Sequence, residues 1–303
     1  MLWVALSLAA GSCQTLRNAL SRQLGKECSP TLVSWARFAF NLPFAATLAT
    51  VLIALHGAPS LPILFFVHCL VTAVTQLLAA VALVAAFRHA SYAQSIVLHK
   101  LDGLFTALVG LMFFAELPST NGWIGIVLST LGVLWINLAR SGGPKGWRRA
   151  FHIDRGAGLA LLAALLLVVT CFALKEASGA LVSANPELGD GRFIASSHTL
   201  FHVTWMEVLI LTVTLLARNP SELRRVRSHG PHMLAIGAAA FAGSLGWFWA
   251  YSLTLVAYVK AVGQIESVLS TWLSLKLFDE KEVKAQIPGI VVTLLGMVFV
   301  LFD

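Results

Sequence analysis

Apolar segments about as long as a lipid bilayer is thick recur from one end of the chain to the other. Segments such as GLALLAALLLVVTCFAL, at 158–174, and IPGIVVTLLGMVFVLF, at 287–302, are apolar on every side, whereas a helix that covers a soluble core keeps one polar face. Lipid offers the backbone no hydrogen-bond partner, so each segment should be a helix. Because 58% of the residues are hydrophobic and only 12% are charged, we expect an all-α integral membrane protein.

Ten segments are expected to cross the membrane, at about 20 residues per crossing. Their predicted bounds are 1–21, 30–55, 61–86, 92–115, 119–139, 156–176, 196–217, 232–254, 258–278 and 284–302. The first segment lacks the basic start of a secretory signal, which predicts a retained span. The longest connection is expected at 177–195, where SANPELGDGR marks a loop.

Basic residues between the spans indicate the orientation of the chain. In the ten-span topology one side carries Arg22, Lys26, Arg88, Arg140, Lys145, Arg148, Arg149, Arg155, Arg218, Arg224, Arg225, Arg227, Lys281 and Lys284, and the other side carries only Arg192. The positive-inside rule then predicts basic loops in the cytoplasm and both termini outside, in a cytoplasmic (inner) membrane. The net charge of +7 thus indicates a lipid bilayer as partner and no nucleic acid.

The two halves of the chain show an internal repeat. A shift of 164 residues aligns, without gaps, Asp102 with Glu266, Glu116 with Glu280, Gly125 with Gly289 and Gly132 with Gly296. With five spans in each half, the second half enters the membrane from the opposite side, an arrangement typical of alternating-access transporters. The predicted domains are a first five-helix repeat at 1–140, a basic cytoplasmic linker at 141–155 and a second five-helix repeat at 156–303.

Two segments carry a resemblance to a known family. FRHASYAQSIVLHKLDGLFTALVGLMFFAELPSTNGWIGIVLSTLGVLWIN resembles the EamA-type repeat of the drug/metabolite transporter superfamily, and AYVKAVGQIESVLSTWLSLKLFDEKEVKAQIPGIVVTLLGMVFVL is similar to its second copy. SWARFAF, at 34–40, resembles the Arg-Phe step of the family's second span. The resemblance implies ten helices in two inverted repeats and export or exchange of small metabolites. It also implies cytoplasmic termini, opposite to the orientation that the charges predict.

Polar and ionisable residues within the spans are the candidates for substrate binding or coupling, because such residues are costly in lipid. The predicted residues are His99, Lys100, Asp102, Thr106, Lys260, Gln264, Glu266, Ser270, Arg37, Trp247 and Tyr251. In the fourth span His99, Asp102 and Thr106 form part of one polar stripe with helical spacing, which predicts the wall of a wet cavity. The alternative is that the stripe only joins helices by hydrogen bonds.

Several roles remain open for these residues. Asp102 and Glu266 could carry coupled protons, or they could form permanent salt bridges with Lys100, Lys260 or Arg37. The two lysines would favour an anionic group on the substrate if they are not neutralised in this way. Trp247 and Tyr251 could stack on a substrate or belong to an interfacial aromatic belt.

The leading hypothesis is a secondary active transporter that exports or exchanges a small polar metabolite, such as an amino acid, an amine or an organic anion, with proton coupling. The alternatives are a nucleotide-sugar or phosphate-ester exchanger and, in a different class, a non-transporting membrane scaffold. Catalytic motifs are missing from the sequence, so we expect no enzyme, cofactor or metal; His198 and His202, with Glu207, are a weak metal pattern. The glycine pairs favour close helix packing or a homodimer, and Glu116 and Glu280 are expected to cap or pair at span ends.

Overall fold

The computed structural model of the chain describes residues 1–89, 92–139, 154–278 and 284–302. Within these ranges every regular element is a helix, as predicted. The α-helices are α1 (Leu2–Leu24), α2 (Pro30–Ala39), α3 (Leu42–His56), α4 (Ile63–His89), α5 (Tyr92–His99), α6 (Asp102–Phe113), α7 (Thr120–Ala139), α8 (Arg155–Ala184), α9 (Arg192–Arg218), α10 (Arg225–Leu253), α11 (Val256–Gly263), α12 (Ile265–Phe278) and α13 (Ile287–Leu301). Single 3-10 turns occur at Pro186–Leu188, Pro220–Arg224 and Lys284–Gln286.

Membrane-spanning length and apolarity are found in eight segments of the described chain. These segments correspond to predicted spans two to eight and ten, and four of them join two consecutive elements, as α2 with α3 and α5 with α6 do. The predicted first and ninth spans also form helices, namely α1 and the pair α11 and α12, but they are not among the eight. The described chain is therefore all-helical with the spans of a multi-pass membrane protein, and the count of ten stays a prediction.

The connection after α8 is shorter than predicted. Helix α8 continues to Ala184, so the loop expected at 177–195 is confined to 185–191. Asn185 ends the helix: its side-chain amide donates to the Leu181 oxygen (2.7 Å) and to the Ser60 oxygen (2.9 Å), while its oxygen accepts from the Ser60 N–H (2.6 Å). Pro186 follows and disfavours a helical conformation at Asn185. Of the predicted linker at 141–155, only Asp154 and Arg155 lie in the described residues.

The helices group into two compact units, each of which takes residues from both halves of the sequence. The first unit comprises Met1, 75–172 and 254–303, and the second comprises 2–74 and 173–253. Helices α4 and α8 each contribute to both units. The predicted repeats at 1–140 and 156–303 follow sequence order instead, and this division stays a prediction.

In the first unit, α7 and α13 cross at their glycines. A Cβ on Gly125 would lie 2.7 Å from the Gly296 oxygen, and one on Gly296 would lie 2.7 Å from the Gly125 oxygen. The same reciprocity holds for Gly132 and Gly289, at 2.6 Å and 2.7 Å. Close packing through glycine is thus confirmed, since any side chain would separate the backbones. The homodimer stays a prediction, and it would have to use other faces of these helices.

The second unit is built on α1, which packs along α10, together with α2, α3 and α9. A buried cluster of Leu24, Cys28, Leu32, Ala36, Leu215, Met233 and Ile236 fills the space among four of these helices. The Trp35 indole on α2 donates to the Thr212 hydroxyl on α9 at 2.9 Å. In the loop after α1, a hydrogen bond from His229 (2.9 Å) and its positive charge hold the pKa of Glu27 below its usual range.

Candidate functional site

Two helix breaks lie at related positions in the first unit. Helix α5 ends at His99 and α6 begins at Asp102, while α11 ends at Gly263 and α12 begins at Ile265. Leu101 (φ −69°, ψ −7°) and Gln264 (φ −62°, ψ −9°) stay in the right-handed helical region. The N–H groups of both residues bond to the oxygen three residues back, at 3.3 Å. Each break is therefore one tight turn inside an apolar segment.

An acidic residue occupies the first turn after each break. These residues are Asp102 in α6 and Glu266 in α12, the pair that the shift of 164 residues aligns. The peptide dipoles at a helix N-terminus favour a negative charge. The breaks therefore stabilise two carboxylates inside segments that are otherwise apolar.

Each carboxylate is paired with a lysine from the other half of the sequence. The Lys260 ammonium donates to Asp102 Oδ2 at 2.5 Å, and the Lys100 ammonium lies 3.7 Å from Glu266 Oε2. The pairing is reciprocal, because Lys100 precedes Asp102 on the chain and Lys260 precedes Glu266. Of the two roles predicted for these acids, the structure contains the salt bridges. We call Lys100, Asp102, Lys260 and Glu266 the four-charge site.

Three further predicted residues border the four-charge site. His99 interacts electrostatically with all four charges, and its buried Nδ1 has no hydrogen-bond partner in the described chain. Gln264 is buried, with its amide nitrogen 3.6 Å from the position of a Cβ on Gly103. The Thr106 hydroxyl donates to the Asp102 backbone oxygen at 2.7 Å, so its proton is not available to a substrate. Ser270, on α12, is half-buried.

Helix α11 is held at its start as well as near its end. The Val256 N–H donates to Glu116 Oε2 at 2.9 Å, and the Ser119 N–H donates to the Tyr258 hydroxyl at 3.1 Å. The capping role expected of Glu116 is confirmed, because this N–H lies in the first turn of α11. Its aligned counterpart Glu280 lies outside the described residues.

The other predicted site residues belong to the second unit. Trp247 and Tyr251 stack on one face of α10, with ring centroids 6.0 Å apart and planes 18° apart, and the Trp247 indole donates to Gln14 at 3.1 Å. The Arg37 guanidinium lies over the Phe38 ring, 4.7 Å from its centroid. The shared face of Trp247 and Tyr251 is confirmed, while stacking on a substrate stays a prediction.

A buried carboxyl in the second unit was underrated by the sequence analysis. Glu207 on α9 is 1% exposed, and its Oε1 has no hydrogen-bond partner within the described ranges. From the sequence, Glu207 is predicted only as a possible metal ligand beside His198 and His202. No group of three metal-ligating side chains occurs in the described residues. A signal was nevertheless present, since Glu207 is the single acid in the predicted span 196–217.

The Phe65, Phe66 and Phe201 rings pack edge-on against the His202 ring, with centroids 5.0 to 5.3 Å away. Its Nδ1 lies 2.9 Å from the His198 backbone oxygen. This imidazole is thus held by helix packing.

Comparisons with known proteins bear on the fold alone. No family model and no curated protein matches the chain. Among the solved structures that match, one described as "Crystal structure of protein" has a TM-score of 0.70 and 14% sequence identity, covering 98% of this chain and 96% of that chain. The chain therefore shares its fold, over nearly its whole length, with a protein of very different sequence.

Proposed function

We propose that the chain is a secondary active transporter of the drug/metabolite type, which exports or exchanges a small polar metabolite by alternating access, with proton coupling. The observation that carries the proposal is the four-charge site at two aligned helix breaks. Ionisable groups inside apolar spans are usually functional, and interrupted helices form the substrate sites of many transporters. The EamA-like repeat and the cytoplasmic membrane are part of the same proposal.

The charges of the site favour certain substrates. The charges of the two carboxylates and the two lysines sum to zero, so the four-charge site needs no bound ion when it is empty of substrate. A substrate carboxylate could replace an acid opposite Lys100 or Lys260, and a substrate amine could replace a lysine. Each exchange keeps every charge paired, whereas leaving one buried partner alone costs about 3–5 kcal/mol. This chemistry suits an amino acid, an amine or an organic anion.

A phosphate ester fits the site less well. A phosphate group carries about −1.5 to −2 charges near neutral pH, so it would require both lysines and take both acids out of their ion pairs. Bidentate arginine contacts, which favour phosphate, do not occur among the described contacts of the four-charge site. The nucleotide-sugar or phosphate-ester exchanger therefore ranks second.

The two ion pairs also provide a means of gating. Asp102–Lys260 joins the start of α6 to α11, and Lys100–Glu266 joins the α5–α6 turn to the start of α12. A substrate that binds one residue of an ion pair breaks that pair and releases the helix that carries the second residue. Opening would then depend on substrate occupancy, as coupled exchange requires.

Counterflow into proteoliposomes tests the proposal. Proteoliposomes that contain the purified protein are preloaded, in turn, with members of a panel of amino acids, amines, organic anions, nucleotide sugars and phosphate esters. They should take up the labelled form of one class faster than protein-free vesicles do. Uptake should fall at least tenfold in Asp102→Asn and Glu266→Gln, because each change removes the carboxylate of one ion pair. Glu187→Gln alters an exposed acid after α8 and should leave uptake unchanged.

Failure of the folded protein to move any member of the panel would contradict the proposal and favour the scaffold. Unchanged counterflow in both acid variants would contradict the assignment of the site.

A further inference from the structure

Among the acids of the described chain, Glu207 alone has a carboxyl oxygen that is both fully buried and without a hydrogen-bond donor. Asp102 accepts from Lys260 and Glu116 accepts from the Val256 N–H. Glu207 is less exposed than either, at 1%, and its Oε1 is unpaired among the described residues. A buried carboxylate without full hydrogen bonding is strongly disfavoured, so this position favours a group that gains and loses a proton.

One positive charge acts on Glu207. Helices α2, α3 and α10 and the turn at Pro220–Arg224 pack against α9, and α4 and α8 contact it through Phe65, Phe66 and Ser178. Besides Arg37, their charged residues and histidines in the second unit are His56 on α3, His68 on α4, Lys175 and Glu176 on α8, Glu222 and Arg224 in the turn, and Arg225, Arg227, His229 and His232 in the first turns of α10. Within the described chain only Arg37 interacts electrostatically with Glu207, and no ion pair joins the two. Arg37 therefore tunes the charge of Glu207 without fixing it.

Arg37 has a second source of stabilisation. Its guanidinium lies over the Phe38 ring, 4.7 Å from the centroid, a geometry in which the π electrons of the ring attract the cation. When Glu207 is neutral, this contact remains. Protonation of Glu207 thus does not leave Arg37 uncompensated.

We propose that Glu207, in the second unit, is the group that binds and releases the coupled proton, in place of Asp102 and Glu266. Proton binding forms an O–H bond on a carboxyl oxygen and neutralises the carboxylate, with no transfer of electrons. The coupling of this proton to transport rests on the proposed function, whereas the protonation of Glu207 does not. Asp102 and Glu266 are then free to act as gating and substrate contacts.

Infrared difference spectroscopy of the full chain in liposomes, between acidic and alkaline buffer, tests the protonation directly. Apart from the carbonyl bands of solvent-exposed acids, the wild type should show at acidic pH the separate, higher-frequency band of a protonated carboxylic acid that lacks a hydrogen bond. The band should be lost in Glu207→Gln, remain at a changed frequency in Glu207→Asp, and be unaltered in the exposed control Glu187→Gln. Arg37→Gln should move its midpoint to higher pH, because a nearby positive charge favours the carboxylate.

The transport measurement separates coupling from binding. One proton moving down a pH gradient of one unit can support about tenfold accumulation. Glu207→Gln should abolish this accumulation and retain counterflow of the same substrate. If the wild type moves no substrate of the panel, the proposed function fails, and the infrared band alone decides whether Glu207 is the protonation site.

Three results would overturn the inference. The first is a titrating band that is the same in wild type and Glu207→Gln, or that is missing from the wild type. The second is gradient-driven accumulation at the wild-type level in Glu207→Gln. The third is that Glu207→Gln loses both counterflow and accumulation. If Glu207→Gln does not fold, an unshifted midpoint in Arg37→Gln contradicts the inference.

Discussion

Asp102 and Glu266 show where reasoning from sequence reaches its limit at the level of single residues. Their ionisable character in apolar spans and their alignment at 164 residues can be found without coordinates. Their partners cannot, because the lysines do not follow the repeat: Lys100 aligns with Gln264 and Lys260 with Ile96. Each acid therefore meets a lysine that only the folded chain brings near.

Removal of one partner from the closer pair should destabilise the protein. Asp102→Asn removes the buried carboxylate of the ion pair with Lys260, and we expect a loss of about 3–5 kcal/mol in the free energy of unfolding. The double variant Asp102→Asn with Lys260→Met should recover most of that loss, since neither charge remains. Thermal unfolding in detergent, followed by helical circular dichroism, measures both effects.

The pair Lys100–Glu266 is the matched comparison. Its atoms are farther apart, at 3.7 Å, so Lys100→Met should lower the unfolding temperature less than Asp102→Asn. Equal losses in the single and the double variant at 102 and 260 would show that the ion pair contributes nothing to stability.

At the scale of helices, the sequence predicts the spans well and their interruptions poorly. Most predicted bounds agree with helix ends to within a few residues, because apolar length is set by the bilayer. The break at 100–101 carries neither Pro nor Gly, and Gly263 precedes the break at 264. Because the backbone angles at both breaks stay helical, the local signal in the sequence is too weak to predict them. The loop predicted at 177–195 is wrong in its first part, because Ser and Gly there are compatible with a helix and only Asn185 and Pro186 stop it.

The crossing of α7 and α13 gives a prediction at this scale. Gly132→Val would place side-chain atoms against Thr293 and the Gly289 oxygen, with the Cβ 2.6 Å from that oxygen. The helices must separate, and we expect a loss of several degrees in unfolding temperature, since overpacking costs about 1–3 kcal/mol or more. Scanning fluorimetry of the purified protein measures the shift.

Gly158 on α8 supplies the control, because nothing lies within 4 Å of a Cβ added there. Gly158→Ala should leave the protein equally stable or raise its stability slightly, as alanine favours helix. If Gly132→Val unfolds at the wild-type temperature, the tight crossing is not a determinant of the fold.

For the molecule as a whole, the sequence predicts class and approximate span number, and it leaves the grouping of helices undetermined. Residues 75–172 and 254–303 lie in one unit although they come from different halves. Such grouping depends on contacts between distant segments, for which periodicity offers no signal. Trp247 and Tyr251, for example, were correctly assigned to one face, yet their unit could not be predicted.

Orientation in the membrane is predicted from the loop charges alone. The segregation of basic residues predicts an extracytoplasmic C-terminus after Asp303. A C-terminal phosphatase fusion, active only outside the cytoplasm, should therefore be active, and a C-terminal green fluorescent fusion should be dark. The opposite result would show that the chain follows the orientation of the family it resembles and that the loop charges do not decide it.

The reciprocal lysines also bear on how the protein is made. Asp102 is synthesised 158 residues before Lys260, which at about 5–20 residues per second is an interval on the order of ten seconds. During that time the nearest cation in the nascent chain is Lys100, and for Glu266 it is Lys260. The acid in each half would thus be neutralised by a lysine of the same half as it enters the membrane. When the halves meet, each acid changes to the lysine of the other half. Fragments divided within 141–153 and produced in one cell should be recovered as one complex, joined by that exchange.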